Sequence, residues 1–130
     1  MGWNIENTAS FETWFESQDE DVRVAILAHL KALEAEGPQL GRPYCDTLKG
    51  SKVANLKELR VQVGGEPFRV LFAFDIERAA VLLVGGNKAG DKHWYDVNIP
   101  IAEKLFVAWE AQIRKRRAAA QAAAKRPGRS

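Results

Sequence analysis

Two arginines, Arg60 and Arg69, are the residues whose type and spacing point most directly to chemistry. They lie in the stretch ELRVQVGGEPFRVLFAFD, residues 58–75, which is typical of two β-strands joined by Gly64-Gly65. A two-residue turn with positive φ at both positions sets Arg60 directly opposite Arg69 on one face of the hairpin. Like charges in that arrangement cost about 0.2–1 kcal/mol, so we expect an anion nearby that compensates them.

Two anions could fill this role, and the sequence favours neither. Glu58 stands two residues from Arg60 on the same face and can form an ion pair with either guanidinium. The other is a phosphate, which two planar guanidiniums facing one way would bind well. The phosphate interpretation requires both side chains to lie on an uncovered surface of the sheet, free to bind a polyanion.

A second polar group follows the third predicted strand, where Lys88, Lys92, His93, Trp94 and Tyr95 occur together. Cleavage of RNA without a metal needs a base near the 2′-hydroxyl, an acid near the leaving 5′-oxygen and cations around the phosphate. His93 and Tyr95 are our candidates for proton transfer, and a lysine is the alternative. We expect Trp94 to cover the core.

Other catalytic classes lack their signatures. The two histidines, His29 and His93, fall in different elements and Cys45 is the only cysteine, so we expect no metal site. A phosphate-binding glycine loop and the seryl and cysteinyl nucleophile motifs are also absent. His29 is expected to be a half-buried structural histidine, and Cys45 a thiol without a role.

The elements that position these residues follow from periodicity. At 130 residues and 46% hydrophobic, the chain should form one domain. The first half of the chain should contain a short strand at 3–6, a helix capped by Thr8 or Ser10, and a second helix from 19–21 to Gly37-Pro38. A long connection over 37–55 then leads to the hairpin. A central strand near 79–84, covered on both faces, and a helix starting at Asn98 to Pro100 complete the chain.

The C-terminal end is strongly basic, since residues 104–130 carry eight bases and one acid. We expect a domain over residues 1–117 and a frayed or disordered tail over 118–130, in which the alanines allow the last helix to persist until Pro127-Gly128 ends it. The apolar runs at 68–74 and 79–84 are too short for a membrane span, and no leader precedes them, so a soluble, intracellular protein is predicted.

Four motifs in order carry a resemblance to a known family. They are ELR, then R-x-L-F-A-F-D, then LL-x-GG-x-K-x-G, then W-Y-x-x-x-I-P-x-A, preceded by an amphipathic helix and an LKG loop. Over roughly residues 3–113 the chain resembles the HigB-like, phage-derived branch of the RelE/ParE toxin superfamily. The resemblance implies an α+β fold, in which two N-terminal helices and a C-terminal helix pack on a small, twisted, mostly antiparallel sheet.

The resemblance also implies a function: the toxin of a type II toxin–antitoxin pair, a cytoplasmic, ribosome-dependent endoribonuclease that cuts mRNA without a cofactor. Its partners would be the ribosome, mRNA and a cognate antitoxin of the helix-turn-helix type. On this interpretation Arg60, Arg69, Lys88, His93 and Tyr95 are the catalytic residues. The residues expected to bind RNA are Lys49, Lys52, Lys57, Lys92, Arg116 and Arg117.

Two other interpretations stay open at this point. One is a toxin of the ParE type that binds DNA gyrase and cuts nothing. The other is a scaffold or phage accessory protein whose basic tail binds nucleic acid.

Overall fold

The computed structural model describes residues 2–125, which form one five-stranded sheet with helices on both faces. The elements are β1 (Asn4–Asn7), α1 (Ala9–Glu16), α2 (Glu20–Glu36), β2 (Cys45–Thr47), β3 (Lys57–Val63), β4 (Glu66–Phe74), β5 (Ala79–Asn87) and α3 (Trp94–Ala124). The strand order is β1-β5-β4-β3-β2, with β1 parallel to β5 and the other pairs antiparallel. The α+β fold with a mostly antiparallel sheet is therefore confirmed.

The two faces of the sheet are covered differently. Alternate side chains of β3 and β4 pack against α1 and α2, in a core that contains Phe11, Ile26, Leu33, Leu59, Val61, Val70 and Phe72. The opposite face packs against α3, in a core that contains Leu71, Ala73, Val81, Leu83, Trp94, Ala102 and Phe106. Glu58, Arg60 and Arg69 alternate with the first set, so they belong to the α3 side of the sheet.

Strand β5 is central and buried on both faces, as predicted. Its adjacent glycines each receive a tryptophan from an opposite side of the sheet. A Cβ on Gly85 would lie 2.2 Å from the Trp14 ring, and one on Gly86 would lie 2.6 Å from Nε1 of Trp94. Trp94 is therefore a core residue, as expected, and it fixes the start of α3 against the sheet.

The hairpin has the predicted register. Gly64 and Gly65 both have positive φ, at 56° and 82°, and Arg60 pairs directly with Arg69. Thr8 and Ser10 were the predicted alternatives for the cap of α1. The structure selects Thr8, whose side chain accepts a hydrogen bond from Phe11 N.

Two predictions of element boundaries were wrong. The connection over residues 37–55 contains a short 3₁₀ turn and strand β2, whose Cys45 side chain is buried. Strand β2 has only three residues, two of them polar, so periodicity could not reveal it; its pairing with β3 forms it.

Helix α3 begins at Trp94 and not at Asn98 to Pro100, so Pro100 lies inside the helix. Pro100 has no backbone N–H to donate, so the helix loses one hydrogen bond to its first turn. The close packing of Trp94 against Gly86 holds that turn in place. At the other end, residues 118–124 of the expected frayed tail continue α3 as helix. The rest of that tail, residues 126–130, lies outside the described residues.

None of the helices within residues 2–125 has both the length and the apolar composition that a membrane span requires.

Candidate active site

Arg60 and Arg69 lie side by side where the α3 side of the sheet is open. Their strands pair with these two residues in direct register. The Arg60 side chain is 37% exposed and that of Arg69 is 11% exposed, so one guanidinium faces solvent and the other lies deeper.

Glu58 lies between the two guanidiniums with only 3% of its side chain exposed. Its Oε2 accepts a hydrogen bond from Arg60 Nε at 3.2 Å, and its Oε1 lies 3.5 Å from Arg69 Nε. The second contact is an ion pair without hydrogen-bond alignment, since Arg69 Nε has no hydrogen-bond partner among the described residues. Of the two anions that the sequence left open, Glu58 is the one that lies between the arginines in the structure.

Both arginines thus contact a carboxylate of their own chain, which corrects the expectation of two free guanidiniums. Strand β2 adds Asp46, whose Oδ2 lies 3.4 Å from Arg60 Nη2 and 2.9 Å from Arg42 Nη2. The hydrogen bond from Arg42 is the main reason that the pKa of Asp46 is lowered. Because three arginines share two carboxylates, the cluster keeps a positive charge.

Tyr95 joins this cluster from the first turn of α3. Its hydroxyl donates a hydrogen bond of 2.6 Å to Oε1 of Glu58. Burial, and secondly the neighbouring Glu58 carboxylate, raise the pKa of the Tyr95 phenol. A phenol is protonated at neutral pH in any case, and the raised pKa makes Tyr95 a weaker acid than a free tyrosine. Lys88 follows β5, and its Nζ lies 5.8 Å from the centre of the Tyr95 ring.

His93 is not brought to the arginines by the structure. It precedes α3 as an exposed residue, and its Nδ1 lies 3.3 Å from Oδ2 of Asp96, which is also exposed. Lys92 beside it is exposed as well. Among the residues predicted to be catalytic, Arg60, Arg69 and Tyr95 therefore meet through Glu58, Lys88 lies over Tyr95, and His93 lies apart.

The cations predicted to bind RNA fall into separate groups. Lys49 and Lys52 line a cleft of about 370 Å³ with Tyr95. Their loop is fixed to α3 by Glu103, which accepts hydrogen bonds from Ser51 Oγ at 2.8 Å and from Lys52 N. These bonds, that of Lys52 N first, lower the pKa of Glu103.

The remaining cations lie elsewhere, Lys57 on strand β3 and Arg116 and Arg117 on helix α3. Lys57 Nζ donates a hydrogen bond to Thr47 Oγ1 at 3.0 Å, beside β2. Arg116 and Arg117 both contact Glu77, in the turn that follows β4. That turn is at the opposite end of β4 from Arg69, so these two arginines are remote from the cluster around Glu58.

A second cleft opens beside the arginines at the β2 edge of the sheet, with a volume of about 400 Å³. We call it the edge cleft; its lining residues are His29, Pro43, Tyr44, Arg60, Gln62 and Arg69. Sequence reasoning missed Tyr44, because β2 was not predicted and the pairing of Tyr44 O with Arg60 N was therefore unknown. His29 is half-buried, as predicted, but it also faces this cleft.

Within residues 2–125, no three histidine, cysteine, aspartate or glutamate side chains form a group that could hold a metal ion. Cys45 is buried, and burial raises the pKa of its thiol, which makes it a poor nucleophile.

Comparisons with known proteins match one family model and two proteins named as toxins. Residues 13–107 match the family described as phage-derived Gp49-like proteins. The chain is 46% identical over 101 residues to a protein named as toxin HigB3 of Mycobacterium tuberculosis, covering 77% of this chain and 87% of that protein. It is 40% identical over 115 residues to a protein named as toxin HigB2 of the same organism, covering 87% of this chain and 57% of that protein.

One solved structure supports the fold. A mutant of the E. coli toxin RelE in the free state superposes with a TM-score of 0.55 at 12% identity, covering 78% of this chain and 99% of the RelE chain. Glu58, Arg60, Arg69 and Tyr95 all lie within the residues matched by the Gp49-like family, whereas Arg116 and Arg117 lie beyond them.

Proposed function

The chain belongs to the HigB-like toxins of the phage-derived Gp49-like family, and from this premise we propose that it is a metal-independent endoribonuclease acting on translated mRNA. The observation that carries the proposal is the cluster in which Arg60, Arg69 and Tyr95 meet on the single carboxylate of Glu58. It combines fixed positive charge with a proton donor, which are two requirements of phosphodiester cleavage.

The arginines would bind the scissile phosphate. Glu58 contacts Nε of Arg60 and lies near Nε of Arg69. Arg60 Nη2 also lies 3.4 Å from Asp46 Oδ2, and Arg69 Nη1 donates a hydrogen bond of 2.9 Å to the carbonyl of Phe68. Each guanidinium has five N–H donors, so these contacts do not use them all. A phosphate that neutralises the remaining charge would gain further charge as the pentacoordinate transition state forms, and the arginines would stabilise that state more than the substrate.

Tyr95 would give the proton to the leaving group. The 2′-hydroxyl attacks phosphorus, the bond from phosphorus to the 5′-oxygen breaks, and the phenol protonates that oxygen. In the free protein the phenol donates its one proton to Glu58, so the hydroxyl would turn from Glu58 to the 5′-oxygen as the bond to phosphorus breaks. The proton of the 2′-hydroxyl needs an acceptor, and Lys88, which lies beside Tyr95, would take it only as the neutral amine. His93, the other candidate, lies apart from the cluster in the free protein and would have to approach the 2′-hydroxyl in the complex with RNA.

The lysines around this cluster would guide the RNA backbone. Lys49 and Lys52 lie on the Tyr95 side, and Lys57 lies beside β2. Lys92 is exposed next to the start of α3. Such contacts supply affinity that depends on salt and carries no sequence information. Arg116 and Arg117, at the other end of the sheet, would touch only a distant part of the ribosome or message.

The biological setting follows from the same proposal. A ribosome-dependent nuclease would work in the cytoplasm, with translated mRNA as its substrate. A cognate antitoxin would hold the toxin inactive, and from the family we expect an antitoxin of the helix-turn-helix type.

The experiment is a primer-extension map of transcripts after induction of the unaltered protein, of Arg69→Ala and of Arg117→Ala. We expect cuts within translated messages for the unaltered protein, a loss of about 10²-fold or more for Arg69→Ala, and little change for Arg117→Ala. Arg60→Ala is a second test, because this more exposed side chain can be removed with less risk to folding. A map without cuts for the unaltered protein would favour a gyrase-binding toxin of the ParE type.

A further inference from the structure

We propose that the edge cleft is a nucleobase-binding subsite, in which Tyr44 stacks on the base and His29 and Gln62 contact its edge. The inference rests on the ribonuclease proposal for its biological meaning, but the ligand chemistry comes from the cleft itself. Two arginines line one part of the cleft, and Pro43, two rings and an amide line the rest. That combination suits a nucleotide, whose phosphate and base require these two environments.

Tyr44 has the position that a stacking platform needs. The residue is 52% exposed, so burial in the core does not explain the presence of its ring here. Its backbone carbonyl accepts a hydrogen bond of 2.8 Å from Arg60 N, which fixes the tyrosine beside that arginine. A base attached to a phosphate held by Arg60 would therefore lie within reach of the ring. Stacking tolerates any base, because every base has a π-face.

His29 supports the ring and offers a free nitrogen. The two rings meet edge to face, with centroids 5.8 Å apart and planes at 70°. The Nδ1 atom of His29 lies 2.9 Å from the carbonyl oxygen of Ala25, and since a carbonyl only accepts, Nδ1 carries a proton. Nε2 is then the nitrogen available to a ligand. Gln62 adds an exposed amide that can both donate and accept at a base edge.

The occupant we infer is an unpaired base of single-stranded RNA. A base within a duplex is stacked and its Watson–Crick edge is used, so it could not enter between Tyr44 and Gln62. A free phosphate or a sugar phosphate would use the arginines alone and leave Tyr44 and His29 without a partner. The difference between these ligands gives a direct test.

The test is an NMR titration of the full chain with inorganic phosphate, ribose 5-phosphate and each of the four nucleoside 5′-monophosphates. We expect the nucleotides to shift the ring resonances of Tyr44 and His29 and the side-chain amide of Gln62, and the two base-free compounds to leave them in place. Equal shifts from ribose 5-phosphate and from the nucleotides would overturn the proposal.

Two variants of one residue separate stacking from folding. Tyr44→Ala should weaken nucleotide binding about tenfold or more, whereas Tyr44→Phe keeps the ring and should bind within about threefold of the unaltered protein. Equal affinity of Tyr44→Ala and Tyr44→Phe would contradict the stacking role. Because Tyr44 is exposed, both variants should unfold at the same temperature as the unaltered protein.

Cleavage of translated mRNA, measured on the same preparation, distinguishes this inference from the proposed function. Nucleotide-specific shifts without cleavage would support the subsite and overturn the ribonuclease. Cleavage without nucleotide-specific shifts would support the ribonuclease and overturn the subsite.

Discussion

Two pairs of arginines in this protein each share one glutamate, and the pairs have opposite characters. Arg60 and Arg69 come from neighbouring strands and meet on Glu58, which is 3% exposed. Arg116 and Arg117 are consecutive residues of α3 and meet on Glu77, which is 39% exposed. The first contact joins residues of the sheet, whereas the second joins a helix surface to a turn.

The difference lies in what holds each pair in place. Water solvates the charges around Glu77, so these ion pairs gain little energy and their side chains can leave one another. The charges around Glu58 are partly removed from water and are fixed by the register of β3 and β4. Fixed charge in a poorly solvated place is what a phosphoryl transition state requires, so identical residue types have different chemical capacity in the two places.

The largest effect that we expect comes from Tyr95, which donates a hydrogen bond to Glu58. Tyr95→Phe removes the proton that the phenol would give to the leaving 5′-oxygen and should slow cleavage about 10²-fold or more. Single-turnover cleavage of mRNA on programmed ribosomes measures this rate. Val107→Ala is the control, since it alters an exposed residue of the same helix outside the Glu58 cluster. Rates of Tyr95→Phe within about threefold of the control would contradict the assigned role.

The second effect concerns stability and compares the two glutamates directly. Glu58→Gln leaves two guanidiniums around a neutral amide and should lower the free energy of unfolding by about 3 kcal/mol, the low end for a broken buried pair, because Arg60 is partly exposed. Glu77→Gln should lower it by less than about 1 kcal/mol. Urea unfolding measures both values, on condition that the two variants have the same slope of unfolding free energy against urea concentration. Equal losses of unfolding free energy in the two variants would show that the burial of Glu58 does not make its ion pairs more stabilising than those of Glu77.

The sequence was sufficient to predict the placement of Arg60 and Arg69 and the central position of β5. Register follows from Gly64-Gly65, because a two-residue turn permits one alignment, and burial on both faces follows from an unbroken apolar strand. Both features depend on local signals, which a single chain displays without its tertiary contacts. The burial of Trp94 in the core was also predicted from the sequence.

What the sequence could not show depends on contacts between distant residues. Strand β2 exists because Cys45 is buried and its neighbours pair with β3, and without β2 neither Asp46 nor Tyr44 could be placed beside Arg60. The start of α3 at Trp94 depends on the fit of that ring against Gly86. The choice between Glu58 and a phosphate as partner of the arginines was likewise undecidable, since it depends on the depth of the Glu58 side chain.

The smallest effect belongs to the second pair of arginines. The double variant Arg116→Ala and Arg117→Ala removes two exposed cations, so the free energy of unfolding should change by no more than about 0.5 kcal/mol. The rate of cleavage by bound protein should also stay unchanged, because Glu77 lies at the opposite end of β4 from Arg69. If these arginines bind ribosomal RNA or mRNA, the slope of log affinity against log salt should fall by about one for each phosphate that the variant no longer neutralises. Sedimentation with programmed ribosomes over a range of KCl concentrations measures that slope. A loss of cleavage as large as that of Arg69→Ala would show that the two pairs act on the same phosphate, and the contrast between them would then be wrong.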